Sequence, residues 1–302
     1  MRSINIVILG DYSIASELGK KGTTSDLTIY DRKIDNSIYS FIAPTSFPEK
    51  IQPLMQAINM AEYAILNINK LDRYIGESII ALDLLRFRRG FIITEDELTG
   101  KVKHLISNTS LASFEFITLD VLKRRIDELE VIKQEGEPLI YIDHVFDVKG
   151  VGTVVLGILR RGNIKVYDEL ELMPASKMVT IKSIQLHGKD VDEASSPARV
   201  GLALKGIKVD EISRGDMLAK QGSLSKSDSL GIKFVKSNFF NEEVSEKSSY
   251  MLSLGLQVKS VKFKGDSLKA EKSIAYSKGE EGILLKPDSK VNRIVGKIIV
   301  LE

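Results

Sequence analysis

The sequence contains no cysteine, and this absence excludes disulfide bonds, thiol catalysis and cysteine-ligated zinc while suiting a reducing cytosol. Its three histidines are too scattered along the chain to suggest a metal site, so we expect no bound metal. A long hydrophobic run is also missing, because the first apolar stretch, residues 4–9, is too short for a signal peptide or a membrane helix. We therefore expect a cytoplasmic protein whose partners include neither a membrane nor DNA.

A strong excess of charge of one sign is absent as well. The formal net charge is +2, so any contact with RNA has to come from local basic patches and not from bulk charge. The chain has 302 residues, of which 43% are hydrophobic and 28% charged, as in an ordinary globular protein. This length predicts two or three domains.

Residues 1–135 show alternating strand and helix patterns. Apolar runs predict strands at 4–9, 27–30, 38–42, 63–68, 91–94 and 114–118. Helical spacing predicts helices at 15–18, 51–60, 75–88 and 121–132. Alternation of this kind is typical of a mostly parallel sheet with helices on its faces. The polar segment 133–138 contains glycine and proline and is the predicted domain boundary.

The remainder of the chain has the pattern of an all-β protein. Residues 143–157, DHVFDVKGVGTVVLG, combine two strand-like runs with a glycine turn at Gly150 and Gly152. Further strands are predicted at 139–146, 153–159, 165–167, 169–173, 179–186, 199–204 and 217–219, which together indicate a closed barrel over 136–222. Runs at 252–263, 268–276, 282–285 and 294–300 predict a second barrel over 223–302.

The turn after the first strand is where a phosphate-binding loop would lie, with glycine, four residues and then Gly-Lys-Ser/Thr. Gly10 has the right position, but the next fixed positions hold Ala15, Ser16 and Glu17. Ala15 opposes a positive φ, Ser16 brings no charge, and Glu17 puts a carboxylate where a magnesium-binding hydroxyl belongs. A carboxylate about 4 Å from a phosphate is repelled by roughly 1–4 kcal/mol in wet surroundings. A second glycine-lysine segment, residues 19–24, has the wrong spacing and is interpreted as a basic loop.

Four segments identify a family resemblance: VFDVKGVGTVVLG, RRGNIKVYDELEL, VTIKSIQLHGKDVDEA and VGLALKGIKVDEISRGDMLAK. They resemble the second domain of translational GTPases, elongation factor Tu and its selenocysteine-specific relative, over residues 143–220. The resemblance implies a multidomain α/β plus β protein. An N-terminal P-loop-GTPase-like α/β domain (1–135) would be followed by two antiparallel β-barrels (136–222 and 223–302).

The family's other nucleotide elements are altered in this chain. Its Asp-x-Pro-Gly-His element is replaced by residues 43–47, APTSF, and its magnesium-binding switch threonine has no clear counterpart, although Thr24 or Thr28 stands near it. The guanine-reading Asn/Thr-Lys-x-Asp element becomes residues 94–97, in which Thr94 and Glu97 are partial matches. Function belongs to the site and not to the scaffold. We therefore predict a pseudo-GTPase with no catalytic residue and no cofactor, whose nucleotide positions are non-functional: Gly10, Ser16, Glu17, Thr94 and Glu97.

The resemblance also implies an RNA site, because the family's second domain holds the 3′ end of tRNA in a cleft against the G domain. Some polar positions of that cleft are lost at Val151, Leu156 and Ile158. The predicted RNA-binding residues are the matching positions and nearby cations: Asp143, His144, Phe146, Lys149, Arg160 and Arg161. Each of these residues also fits a purely structural role. Phe146 would suit the barrel core, His144 a position on a half-buried strand, and the cations the solvated face of a hairpin.

Three functions stay open from the sequence. The leading one is an elongation-factor-like binding module for tRNA, the ribosome or a translation factor, without enzyme activity. The alternative is an active translational GTPase that binds GTP or GDP with magnesium and uses Lys20 or Lys21 in place of the lost lysine. The third is a structural partner that grips protein with the segment at 44–48.

Overall fold

The computed structural model describes residues 2–301. Its N-terminal part contains one sheet made of β1 (Arg2–Gly10), β2 (Lys20–Thr24), β3 (Thr28–Ile34), β4 (Ser37–Ala43), β5 (Tyr63–Ile68), β6 (Gly90–Thr94) and β7 (Glu115–Phe116). The α-helices between these strands are α1 (Ala15–Leu18), α2 (Gln52–Asn59), α3 (Arg73–Leu84), α4 (Asp96–Ile106) and α5 (Leu119–Arg125).

This sheet is mixed, with strand order β2-β3-β4-β1-β5-β6-β7. Strands β4, β1, β5, β6 and β7 run parallel, β3 pairs antiparallel with β4, and β2 pairs antiparallel with β3. Residues 3–9 of the central strand β1 are buried, and all of them except Ser3 and Asn5 are apolar, because both faces of the strand are covered. Val7 and Leu9 pack with α2 and α3, whereas Ile4, Ile6 and Ile8 belong to the core on the opposite face.

The second part is a closed β-barrel. Its strands are β8 (Leu139–Val148), β9 (Gly152–Arg161), β10 (Asn163–Lys165), β11 (Glu169–Met173), β12 (Lys177–Leu186), β13 (Lys189–Val191), β14 (Glu193–Ser195), β15 (Ala198–Lys205) and β16 (Met217–Ala219). The ring runs β11-β16-β8-β9-β15-β12 and closes by pairing β12 with β11. Strand β13 extends β12 as a hairpin, and β10 pairs with β14 outside the ring.

The third part is another antiparallel barrel. Its six strands are β17 (Ser225–Lys236), β18 (Tyr250–Leu254), β19 (Gln257–Lys264), β20 (Ser267–Tyr276), β21 (Glu281–Leu285) and β22 (Ile294–Val300), in the closed order β17-β20-β19-β18-β21-β22. Leu252, Val261, Leu268 and Ile298 are among the residues that fill its interior. Within residues 2–301, no helix is both long and apolar enough to cross a bilayer.

The predicted fold class, an α/β domain followed by two antiparallel barrels, is confirmed, whereas several predicted elements are corrected. The segment at 19–24 is not a basic loop, because Lys20–Thr24 forms the edge strand β2. The predicted strand at 252–263 is two strands, β18 and β19, separated by a turn with Gly255 at φ 55°. The strand at 114–118 shrinks to β7, and the helix at 121–132 ends at Arg125. Helix α4 and strands β13, β14 and β17 were not predicted.

Candidate functional site

The loop after β1 is bonded to the end of β5. Gly10 has φ 90°, and a β-carbon there would overlap the carbonyl oxygen of Asn67. The N–H of Asp11 donates to the Asn67 carbonyl over 2.9 Å, and the Asn67 side-chain amide donates back to the Asp11 carbonyl over 3.0 Å. The Asp11 carboxylate accepts from the Ser13 N–H and from the Asn69 amide at 2.9 and 3.1 Å. These contacts hold the loop through groups of the chain itself.

The three residues at the altered phosphate-loop positions have a helical backbone or contacts with other groups of the chain. Ala15 is helical, with φ −60°, so the turn that a phosphate loop makes here with positive φ is missing. The Ser16 hydroxyl donates to the Ser13 carbonyl over 3.1 Å. Glu17 points away from the loop and pairs with Lys123 of α5 over 2.5 Å. The carboxylate at this position therefore balances a lysine on a neighbouring helix.

Thr94 and Glu97 lie at the same edge of the sheet as Gly10. Strand β5 separates them, since Gly10 is level with Asn67 and Thr94 with Ile68. The Thr94 hydroxyl donates to the Ile68 carbonyl over 2.8 Å. Glu97 is exposed in the first turn of α4, where a carboxylate is favoured by the helix dipole.

The segment after β4 stands where a switch element would be, and hydrogen bonds join it to the β2–β3 turn and the start of β3. The hydroxyls of Thr45 and Thr28 are 3.1 Å apart. Ser46 donates to Asp26 through both its N–H (3.1 Å, to the carbonyl) and its hydroxyl (2.9 Å, to the carboxylate), and Lys50 pairs with the same carboxylate at 3.0 Å. The Lys50 and Ser46 hydrogen bonds lower the pKa of Asp26.

The third part of the chain holds this segment from the other side. Arg293, just before β22, donates to the Glu77 carboxylate of α3 through its Nη2 at 2.6 Å and its Nε at 3.0 Å, and its backbone N–H donates to the same carboxylate. Its Nη1 reaches the Pro48 carbonyl at 2.7 Å. The guanidinium also lies 5.4 Å from the ring centre of Phe47 and 5.8 Å from that of Tyr74. Both ionic side chains are almost fully buried.

A cavity of about 310 Å³ lies where these segments meet, at the carboxyl ends of β1, β4 and β5. Asp11 and Tyr12 line it from the first loop, Phe47 from the second, and Asp72 and Tyr74 from the start of α3. Burial raises the pKa of the Tyr12 phenol, and the charge of Glu49 adds to the shift. The walls of the cavity are largely aromatic, and their charged groups are two aspartates and Lys70, which pairs with Asp72 at 3.3 Å.

A second group of polar residues lies in the first barrel, where it faces the N-terminal part. Asp143 of β8 is only 1% exposed, and its carboxylate accepts from the Arg199 guanidinium of β15 at 2.8 Å and lies 3.4 Å from His144 Nδ1. Burial by itself raises the pKa of Asp143, but Arg199 and His144 outweigh it, so the pKa falls to about 2. Asp143 is thus a firmly ionised anchor for a cation.

Arg214 completes this group, and several of its buried polar atoms lack partners. Its Nη1 lies 4.0 Å from the Asp26 carboxylate, across the boundary with the N-terminal part. Burial lowers the pKa of Arg214, and the charges of Asp143 and Asp26 oppose the shift. Among residues 2–301, no hydrogen bond satisfies Arg199 Nε, Arg214 Nε and Nη2, Asp143 Oδ1 or His144 Nδ1. We call Asp143, His144, Arg199 and Arg214 the barrel cluster.

The other predicted RNA-binding residues have separate environments. Phe146 is 39% exposed on β8, so its interpretation as barrel core is wrong. Lys149 is exposed in the β8–β9 turn. Arg160 is not part of an open basic patch, because it makes a 2.5 Å ion pair with Glu62. Burial raises the pKa of Glu62, and Arg160 opposes that shift. Arg161 donates through Nε to the Glu137 carbonyl at 2.9 Å.

Arg199 and Arg214 are functional candidates that the sequence interpretation missed. A signal for Arg199 was present, since it interrupts the apolar pattern of the strand ARVGLALK. Arg214 lies in a glycine-containing turn and gave no comparable signal. Among residues 2–301, no group of three or more histidine, aspartate or glutamate side chains is arranged so that it could hold a metal ion.

Sequence comparisons agree with this architecture. Residues 152–219 match the family model described as elongation factor Tu domain 2. Uncharacterized protein MJ0325 of Methanocaldococcus jannaschii is 35% identical, over 98% of this chain and 99% of that protein. The selenocysteine-specific elongation factor of the same organism is 27% identical over 80% of this chain, and the match spans 57% of its own length.

Solved structures show the same fold at low sequence identity. Translation elongation factor SelB from Methanococcus maripaludis, in complex with the GTP analogue GppNHp, superposes with a TM-score of 0.83 at 22% identity, covering 100% of this chain and 79% of that one. A bacterial selenocysteine-specific elongation factor, EF-Sec, gives a TM-score of 0.82 at 17% identity and covers 99% of this chain and 58% of that one.

Proposed function

Because this chain belongs to the translational GTPase family, alongside elongation factor Tu and the selenocysteine-specific elongation factors, we propose that it is a binding module that holds the acceptor end of a tRNA without hydrolysing GTP. The observation that carries this proposal is the barrel cluster, with its unpartnered buried donors. The ribosome or a translation factor is then a further partner of the same complex.

The barrel cluster suits an anionic group brought by the ligand. Arg199 and Arg214 contribute two positive charges, and only Asp143 balances them from within the barrel. Buried N–H groups without acceptors are costly, about 1–3 kcal/mol each, so a ligand that supplies oxygen acceptors gains that free energy on binding. Guanidinium groups bind phosphate and carboxylate oxygens with matching geometry.

Two exposed residues near the cluster fit a nucleotide end. Phe146 follows His144 on the same face of β8, two residues along the strand, and a base can stack on its exposed ring. Lys149 in the following turn can neutralise a phosphate. His144 is the cluster member next to these groups on β8, and its Nδ1 lies 3.4 Å from the Asp143 carboxylate.

The residues after β1 do not fit a magnesium nucleotide, which supports the non-hydrolysing part of the proposal. The Asp11 carboxylate takes the Ser13 N–H that a phosphate oxygen would need. No lysine lies in the turn from Gly10 to Leu18, and Glu17, at the sequence position of the metal-binding hydroxyl, is engaged by Lys123 of α5 and supplies no hydroxyl. Asp11 and Asp72 also line the adjoining cavity; Lys70 there pairs with Asp72 at 3.3 Å, so the Asp11 carboxylate is left to repel a triphosphate.

Filter binding with tRNA over a salt series tests the proposal. Arg214→Gln is the informative variant, because Arg214 makes no hydrogen bond through Nε or Nη2 and its removal leaves the Asp143–Arg199 pair intact. We expect it to weaken tRNA binding by about tenfold or more while the melting temperature stays unchanged. Arg124→Ala, which removes an exposed arginine on α5, is the matched control.

If tRNA does not bind at low salt, or if Arg214→Gln binds as tightly as the wild type, the barrel cluster is not the site. Removal of the 3′-terminal nucleotides should weaken binding as much as Arg214→Gln does. Calorimetry with GTP, GDP and magnesium tests the second part separately, and heat of binding accompanied by phosphate release would replace the module with an active GTPase.

A further inference from the structure

An apolar groove runs along α3 where that helix meets the third part of the chain. Two adjoining cavities of about 350 and 400 Å³ form it, and both are lined by Gly76, Ile80 and Phe239. Phe239, in the loop after β17, is 59% exposed, and Val291 at the far end of the groove is 69% exposed. Leu105, at the end of α4, adds a third exposed apolar side chain. We call this surface the α3 groove.

Gly76 is a second, independent feature of the α3 groove. It is the fourth residue of α3, in a helix interior where glycine lowers stability relative to alanine. A β-carbon at Gly76 would meet no atom of the chain within 4 Å, and no positive φ is required. Neither internal packing nor backbone geometry therefore accounts for the glycine. The missing side chain leaves the floor of the groove open, as close approach by another backbone requires.

The charged side chains that line the α3 groove are two cations and two carboxylates, and only one carboxylate is neutralised by an ion pair. Arg293 balances the charge of Glu77, whereas Asp83 accepts the Ser110 N–H and keeps its negative charge, which leaves a net charge of +1. The two cations of the lining, Arg73 and Lys236, donate only to backbone carbonyls, and neither forms an ion pair with a carboxylate of residues 2–301. The unbalanced charge of the groove is positive, so it favours a negatively charged partner.

We propose that the α3 groove is a docking site for an acidic amphipathic helix of a partner protein. The apolar face of that helix lies over Ile80 and Phe239, and its backbone crosses α3 at Gly76. Its carboxylates reach Arg73 and Lys236 at opposite parts of the groove. An apolar helix face seated in a groove is a common mode of recognition, with anchors one turn apart along the helix.

This docking site is separate from the barrel cluster, since the two share no residue. It also depends on how the parts of the chain are arranged, because α3 supplies one wall and the β17 loop the other. The ion pair of Glu77 and Arg293 ties α3 to the segment before β22 of the third part, and Glu77 itself lines the groove. The partner helix therefore recognises the assembled chain.

Fluorescence anisotropy with a synthetic peptide tests the inference. The probe is a helix of about 15 residues with leucines on one face and glutamates on the other, and its matched control carries lysines in place of the glutamates. We expect the glutamate peptide to bind the full chain and the lysine peptide to bind at least about tenfold more weakly. Phe239→Ala should reduce the affinity for the glutamate peptide by about tenfold, as loss of a central aromatic contact does.

Gly76→Ala separates docking from folding. The added methyl group meets open space in the free chain and improves helix propensity, so the melting temperature should stay equal or rise while peptide affinity falls severalfold. Tyr167→Ala, at an exposed aromatic residue of the first barrel, should leave peptide affinity unchanged. Absence of binding at about 1 mM peptide, equal binding of the two peptides, or insensitivity to Phe239→Ala would overturn the proposal. So would sedimentation evidence that Phe239→Ala abolishes self-association, because a second copy of this chain would then occupy the groove.

Discussion

Removal of Arg293 should destabilise the whole chain, because this side chain joins the third part to α3. In the Arg293→Ala variant the Glu77 carboxylate, which is 1% exposed, keeps only a backbone N–H as donor. It loses the Nε and Nη2 hydrogen bonds, and the Pro48 carbonyl loses the Nη1 bond. Leaving one partner of a buried ion pair uncompensated costs about 3–5 kcal/mol. That is a large share of the roughly 5–15 kcal/mol that stabilises a typical protein.

The measurement is thermal and urea unfolding followed by circular dichroism, since the chain has no tryptophan for fluorescence. A loss of this size lowers the melting temperature by on the order of 10 °C. The matched control replaces both partners, Glu77→Leu with Arg293→Met, and should recover most of the loss because neither buried charge is then left alone. If Arg293→Ala unfolds within about 1 kcal/mol of the wild type, the buried pair does not hold the parts together.

Other variants test single groups. The folded pKa of Asp143, about 2, is below its ordinary value of 3.8. We therefore expect its contribution to the free energy of unfolding to be full above pH 4 and to fall by about 2 kcal/mol as the pH drops to 2. If the stability of Asp143→Asn varied with pH in the same way as that of the wild type, Asp143 would not be the source of this pH dependence. Burial raises the pKa of Glu280 from its ordinary value of 4.5 to about 7. The free energy of unfolding that this protonated side chain contributes is therefore full below pH 4.5 and is lost as the pH rises through 7. Glu280→Gln should therefore be more stable than the wild type at pH 8, by roughly 1–2 kcal/mol in urea unfolding. Gly10→Ala should lower the free energy of unfolding by at least about 2 kcal/mol in the same assay, because its methyl group meets the Asn67 carbonyl. Gly150→Ala should lower it less, because Gly150 also has positive φ but its methyl group would meet open space.

The sequence patterns predicted best the elements whose residues are buried on a regular repeat. Strand β1 is buried from residue 3 to residue 9, and β5 and β11 were predicted with their observed bounds. Elements with few buried residues escaped prediction, because periodicity carries the signal. Helix α4 buries only Val102 and Ile106. Strand β17 has twelve residues but buries only Leu230 and Ile232.

The candidate sites were less predictable, because their contacts join distant parts of the chain. Glu77 and Arg293 are separated by 216 residues, and Glu62 and Arg160 by 98. No local pattern pairs such residues, so Arg160 was assigned to an RNA surface although its partner is a buried carboxylate. The altered phosphate loop was predictable residue by residue. Its closure by Asn67 and Asn69, on another strand and the loop that follows, was not.

The buried contacts of Arg293 also determine how the arrangement of the parts responds to surroundings. A geometry held by a bound ligand varies with ligand concentration, since the stabilisation grows as RT ln(1 + [L]/Kd). Arg293 belongs to the same chain as Glu77 and Pro48, so its contribution has no concentration dependence. The closed arrangement of α3 and the third part is therefore an equilibrium property of the polypeptide, equally available in dilute and in crowded solution.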